Sequence, residues 1–279
     1  MSAPDSSAAM PSRPGLILSL AGLAVIVLLF FLAQLHGVDG RAVDLDSVLT
    51  FISLEHPLGC DALGRDVLAR LAEGIGLSLA VGFSVMLISA AIGISIGVAS
   101  GWLGGWIDAL LMRITDIVLS FPGILLAIAL AAMLGPGVEN LVLALTAVGW
   151  VGFARLSRAQ VLSLKHEMFV QAARVCGSSA AFIGWRHLLP NIAAPLLVEA
   201  SFGLAAVIIG EAGLSFLGIG VQPPAASLGT MIREGTSLML VQPWLVIWPG
   251  VSLFLLAMSV NLLGDVLRDV LDVHTDIRA

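Results

Sequence analysis

Six long apolar runs set the terms for everything else in this sequence. They cover residues 16–35, 75–100, 110–134, 141–162, 191–220 and 243–263. Each is about as long as the roughly 20 residues that an α-helix needs to cross a bilayer core. With 58% hydrophobic and only 11% charged residues, the chain has too few charges to cover the surface of a water-soluble fold. The expectation is an all-α, polytopic membrane protein with six transmembrane helices. The first run is longer than a typical signal-peptide core, and Ala33-Gln34-Leu35 makes a poor cleavage site, so it reads as a retained helix.

The polar stretches then divide between two sides. Residues 1–15 form a Ser/Ala/Pro-rich tail, 36–74 an acidic segment, and 266–279 a charged tail. Residues 75–265 form a five-helix core interrupted near 163–190 by a polar connector rich in small residues. Arg13, Arg113, Arg155, Arg158, Lys165, Arg174, Arg186, Arg268 and Arg278 fall on one side; Arg41, Arg65, Arg70 and Arg233 fall on the other. The positive-inside rule puts the first group, both termini and the connector in the cytoplasm, and residues 36–74 outside.

Individual residues refine this layout. Gly93, Gly97 and Gly101 recur every fourth position, a flat stripe against which a neighbouring helix can pack closely. Phe121-Pro122-Gly123 should kink the third span, and Pro249-Gly250 should break the sixth. Arg113 and Asp116, three apart, can pair. Leu63, Val67 and Leu71 suit one face of a helix that follows a turn at Pro57–Gly59. Glu199 and Glu211 are expensive in hydrocarbon. Glu211 reads equally as a group lining a translocation path or as a carboxylate held between helices; Glu199 reads as structural. In the connector, Leu164, Met168, Ala172 and Val175 share one helical face, and Gly177 can end that helix in a left-handed conformation.

Several chemistries are missing. There is no His-Glu-x-x-His pair, no Gly-x-Ser-x-Gly elbow and no nucleophile–base constellation. The five histidines are scattered, so no resting metal site is expected. Lys165 is the only lysine, and Leu164 rather than a glycine-rich loop precedes it, so no conventional P-loop is present. Cys60 and Cys176 are assigned to opposite sides of the membrane, which argues against a disulfide.

Four blocks together resemble a known family. Gln171-Ala172-Ala173, Gly177 and Leu189-Pro190 resemble the Glu-Ala-Ala loop of ABC importer permeases, with Gln171 in place of Glu and His187 where an aliphatic residue is usual. His56-Pro-Leu-Gly-Cys-Asp-Ala-Leu-Gly-Arg-Asp and the rest of that block to Arg70 resemble the dipeptide, oligopeptide and nickel branch, with Cys60 replacing Thr. The stretch from Glu211 to Pro224 and the Asn261–Asp269 block agree with that branch; Leu228 stands where Trp is frequent.

The resemblance implies a MetI-like permease fold in the bacterial inner membrane. It implies a heterodimer with a second homologous permease, two ATP-binding subunits carrying ATP and Mg, an extracytoplasmic solute-binding protein, surrounding lipid and no nucleic acid. No cofactor is expected in this chain. Gln171, Ala172, Ala173, Arg174, Gly177 and Pro190 would form the loop that couples to the ATPases, with Arg174 as a fork for an ATPase carboxylate. The cargo would be di- or oligopeptides, alternatively nickel or a metal chelate. An ion-gradient-driven transporter would use Glu199 and Glu211 as coupling groups, but no internal repeat supports it.

Overall fold

The structure, a computed structural model, describes residues 13–37 and 39–276. Most of the expected N-terminal tail, and Arg278, lie outside the described residues. The helices are α1 (Arg13–His36), α2 (Val67–Leu103), α3 (Gly105–Leu119), α4 (Gly123–Leu134), α5 (Val138–Leu164), α6 (Met168–Val175), α7 (Ala180–Ile183), α8 (Leu189–Phe216), α9 (Leu228–Thr236) and α10 (Trp244–Asp276). Among the described residues the backbone forms no strand beyond an isolated Cys60–Asp66 bridge. The all-helical fold is as expected.

Four stretches, in α2, α5, α7–α8 and α10, are long and apolar enough to cross a membrane, or five if the bent pair α3–α4 makes one crossing. The apolar part of α1, Leu20–Ala33, is shorter than a full span. The six-span count therefore does not follow from helix length alone.

α2 begins earlier than the apolar run predicts. The Asp66 side chain accepts a hydrogen bond from the Ala69 backbone N–H at 2.8 Å and so starts the helix inside the polar segment. Val67 and Leu71 are buried, whereas Leu63 is 43% exposed and precedes the helix, so the three do not share one buried face. α2 then runs along α5, its most extensive partner. Their contact is the glycine stripe. A Cβ at Gly93 would lie 2.3 Å from the Trp150 carbonyl oxygen, and one at Gly97 would lie 2.3 Å from that of Ala154. Only hydrogen fits there.

The third span is broken rather than kinked. α3 and α4 meet at 85° across Ser120–Pro122. Proline removes the backbone donor that would continue α3, and its ring opposes a helical residue before it. Conversely, α10 passes through Pro249 without a break. Pro249 lies just after the first turn, so it removes a single intrahelical bond, and the long apolar helix beyond it still packs on α1, α8 and α9. The same helix continues to Asp276, through most of the expected C-terminal tail.

The loop 221–242, expected on the outer side, contains a helix that the apolar pattern does not announce. Ser227 and Thr230 form a reciprocal capping box at the start of α9. Leu228, the departure from Trp, is fully buried beside α2. Its role is packing within this chain rather than display on the outer surface.

Candidate functional site

The connector between α5 and α8 builds a compact element out of local signals. α5 ends at Leu164, and Lys165 Nζ donates to the Gly101 carbonyl at 3.3 Å, tying the end of α5 to the end of α2. Gln171 Nε2 donates to the His166 carbonyl at 2.8 Å, so this amide closes the turn before α6. Val170 is fully buried with Ile183, Leu188 and Ile192, and Ala173 packs against that cluster.

α6 ends in a complete Schellman motif. Gly177 adopts φ +80°, its N–H donates to the Arg174 carbonyl at 2.9 Å, and the Ser178 N–H donates to the Ala173 carbonyl at 3.1 Å. A side chain at Gly177 would meet nothing within 4 Å, so the glycine serves backbone conformation rather than space.

What remains on the outside of α6 is apolar. Met168 is 86% and Val175 88% exposed, and Ala172 lies exposed between them. On such a short, well-fastened helix, this face presents contact area at little ordering cost. Arg174 is not simply a free fork: its guanidinium carbon sits 4.2 Å from the Trp102 ring centroid, a cation–π contact that pins α6 to α2. Stacking uses the face of the guanidinium and leaves its in-plane donors for other partners. Trp102 thus packs under the connector. His187 packs at ring distances of 6.4 Å from Phe169 and 5.8 Å from Phe182, an aromatic sandwich in place of an aliphatic contact. A π-helical turn, Gly184–Leu188, leads into α8, whose first turn holds Pro190. There the missing N–H costs least.

The ion pair at the membrane edge is not the expected one. Arg113 and Asp116 are exposed and form no ion pair with each other among the described residues. Instead Arg158 grips Asp108 with two bonds, Nε to Oδ1 at 2.5 Å and a terminal nitrogen to Oδ2 at 2.7 Å. Ser100 also donates to Asp108. This joint links the starts and ends of three helices. Sequence spacing gave no hint, because the partners lie fifty positions apart.

On the opposite face, the block around Asp61 folds into a buried charge network. Arg65 Nε donates to Asp61 at 2.7 Å and Arg70 donates to Glu234 at 2.8 Å, while Arg65 reaches Glu234 and Arg70 reaches Asp61. Asp61 also accepts from the Leu63 and Arg65 backbone N–H groups. The network anchors α9 to the start of α2 and borders a cleft of about 380 Å³. Cys60 is buried beside it. Loss of water, reinforced by the charges of Asp66 and Asp61, pushes its thiol up to about 11. Cys60 and the exposed Cys176 are both free.

The two intramembrane acids stand apart in an unexpected way. Glu211, which read equally as path-lining or as held between helices, is fully buried, with its carboxylate accepting from Ser78 at 2.6 Å and Ser215 at 2.8 Å. Ser215 in turn accepts from the Val221 N–H, so this acid fastens α2, α8 and the outer loop together. Glu199, read as structural, has no such partner among the described residues and borders a cleft between α4, α5 and α8.

Comparison with known proteins agrees with this architecture. Residues 93–276 match the family described as "Binding-protein-dependent transport system inner membrane component". The chain is 43% identical over 229 residues to the glutathione transport system permease protein GsiD of Escherichia coli O6:K15:H31, covering 82% of this chain and 76% of that protein. The same figures hold for the protein of that name from Shigella boydii serotype 4. Among solved structures, the inward-facing MetNI methionine ABC transporter aligns with a TM-score of 0.60 at 20% identity, over 72% of this chain and 95% of that one. A second crystal form gives a TM-score of 0.55 at 19% identity, over 71% and 96%. These structures speak to the fold alone. With the family matched across most of the helical core, the chain belongs to the inner membrane components of binding-protein-dependent transport systems and is a permease subunit of an ABC importer.

Proposed function

We propose that this permease imports small peptides, with α6 and its flanking turns as the element that couples it to ATP hydrolysis on separate subunits. Both termini and the connector face the cytoplasm, in keeping with the arginine distribution. A second, homologous permease completes the translocation path. Two ATPases carrying ATP and Mg bind from the cytoplasm, and a solute-binding protein delivers cargo from outside. Closure of the ATPases draws the two connectors together and opens the path outward; hydrolysis resets it. The peptide assignment draws support from the glutathione permeases, since glutathione is a tripeptide.

The observation that carries the coupling role is the exposed apolar face of α6 on a rigidly capped helix. Among the described residues nothing covers Met168 or Val175, whereas Val170 and Ala173 on the other side fasten the helix to the bundle. Exposed apolar faces of this kind mark docking sites.

The test is a double substitution, Met168→Asp with Val175→Asp. Both side chains are more than four-fifths exposed, so the bundle should tolerate the change. The variant should insert at normal level but lose copurification of the ATPases and the ATPase stimulation that loaded binding protein produces. Normal stimulation in this variant would remove α6 from the coupling role.

A further inference from the structure

Glu199 is an intramembrane acid without a partner among the described residues. It lies within α8, a helix whose other intramembrane acid, Glu211, accepts hydrogen bonds from two serines. The same helix therefore shows how a structural carboxylate is accommodated here. Glu199 receives no comparable treatment: among the described residues it has neither hydrogen bond nor ion pair. Ser201, close by, bonds instead to the Val198 carbonyl at 2.7 Å. An unpaired carboxylate in a membrane-spanning helix is costly unless an outside group meets it.

The surroundings of Glu199 are shaped for such a group. It borders a cleft of about 280 Å³ whose other walls are apolar or small, including Gly123, Val148, Gly149, Phe153 and Gly203. The break between α3 and α4 places Gly123 at this cleft. Gly152 faces the carboxylate so closely that a Cβ there would lie 2.3 Å from Oε1. That glycine keeps the carboxylate's space open. Behind the wall, Ser89 Oγ is buried without a hydrogen bond, and a Cβ at cleft-lining Gly149 would meet it at 2.7 Å.

We infer that Glu199 is a cargo-recognition residue of the translocation path, and that its carboxylate receives the ammonium group of a passing peptide. A single anionic group in an apolar, glycine-lined cleft selects a compact cation. A protonated primary amine supplies three donors for the carboxylate and asks for no second charge on the wall. The cleft is too small for a whole peptide but holds an amino end while the remainder lies outside it. Contact is brief because only one charge pair forms, and weak holding is what passage requires. The inference rests on the peptide reading proposed above.

The experiment uses the complete transporter, with both permeases, the ATPases and the binding protein, in proteoliposomes. The probes are glutathione and its N-acetyl derivative, which lacks the ammonium group. Uptake is measured per ATP hydrolysed, which separates passage through the path from capture by the binding protein. The wild type should move glutathione at least tenfold more efficiently than the acetylated form. Glu199→Gln should erase most of that preference by lowering glutathione alone. Gly152→Ala, which displaces the carboxylate without removing it, should give a partial loss in the same direction. Wild-type uptake of glutathione with an unchanged preference in both variants would overturn the inference while leaving the peptide reading intact. Failure of Glu199→Gln to copurify with the second permease, restored by Glu199→Asp, would overturn it by assigning the carboxylate to a subunit interface. Absence of uptake of either probe by the wild type would overturn the peptide reading and the inference with it.

Discussion

Replacing Gly97 by alanine tests the packing of the bundle with a single methyl group. At Gly97 the new Cβ would come 1.9 Å from Ser157 Oγ, 2.3 Å from the Ala154 carbonyl oxygen and 2.9 Å from the Arg158 nitrogen. The serine hydroxyl can rotate at the expense of its 2.6 Å bond to the Phe153 carbonyl, but the Ala154 carbonyl is held in α5 and cannot. Restoring ordinary contact, from 2.3 to about 3.4 Å, means moving α2 and α5 apart by about 1 Å along their longest shared face. Overpacking of this kind costs about 1–3 kcal/mol, and the obstructing backbone puts this site toward the upper end. Against it stands the gain of about 0.5–1 kcal/mol for alanine over glycine inside a helix. The net expectation is a loss of about 1–2 kcal/mol. Gly76, in the same helix, meets nothing within 4 Å, so Gly76→Ala keeps only the gain. Gly101, with its nearest contact at 3.0 Å, should fall between them. Thermal unfolding of the purified permease in detergent should rank Gly76→Ala above wild type, then Gly101→Ala, then Gly97→Ala. Gly97→Leu should scarcely accumulate in the membrane. If Gly97→Ala melted at or above Gly76→Ala, the account of the α2–α5 contact would be wrong.

Two further outcomes follow from the charges and thiols. With its thiol at about 11, Cys60 is deprotonated in about one molecule in a thousand at pH 8, so maleimide should label the folded protein at exposed Cys176 and reach Cys60 only as the pH rises toward 11 or the protein unfolds; fast labelling of both at pH 8 would refute the burial of Cys60, and labelling of Cys176 by an impermeant reagent outside intact cells would reverse the proposed topology. Glu234→Gln leaves Arg65 and Arg70, 9% and 3% exposed, competing for Asp61 alone, and should cost about 1–2 kcal/mol, discounted because Glu234 is itself partly exposed; proteolysis of the outer segment should accelerate, and an unchanged rate would show that the network does not hold α9.

What the amino-acid sequence determined by itself is whatever depends on neighbours along the chain. Apolar length specifies helices, because each helix satisfies its own backbone in lipid. The glycine spacing marked the close-packing face, and Gly177 ended α6 because a left-handed residue closes a helix with bonds only three and five positions back. The break after α3 was readable at Pro122 for the same local reason. The Ser227–Thr230 cap of α9 was equally local but lay in a segment too polar for an apolar pattern to find. Tertiary structure alone decided the partners of charged groups far apart along the chain, unlike Arg65 and Asp61, which lie four positions apart. Arg158 chose Asp108 over any neighbour on its own helix, and Arg70 chose Glu234 across the outer face. It also decided the two acids of α8. Sequence context left Glu211 open between the path and a structural role and made Glu199 structural. Folding brought Ser78 of α2 to the first and an open, glycine-lined cleft to the second, because the polarity around a side chain in a membrane bundle is supplied by other helices rather than by its own.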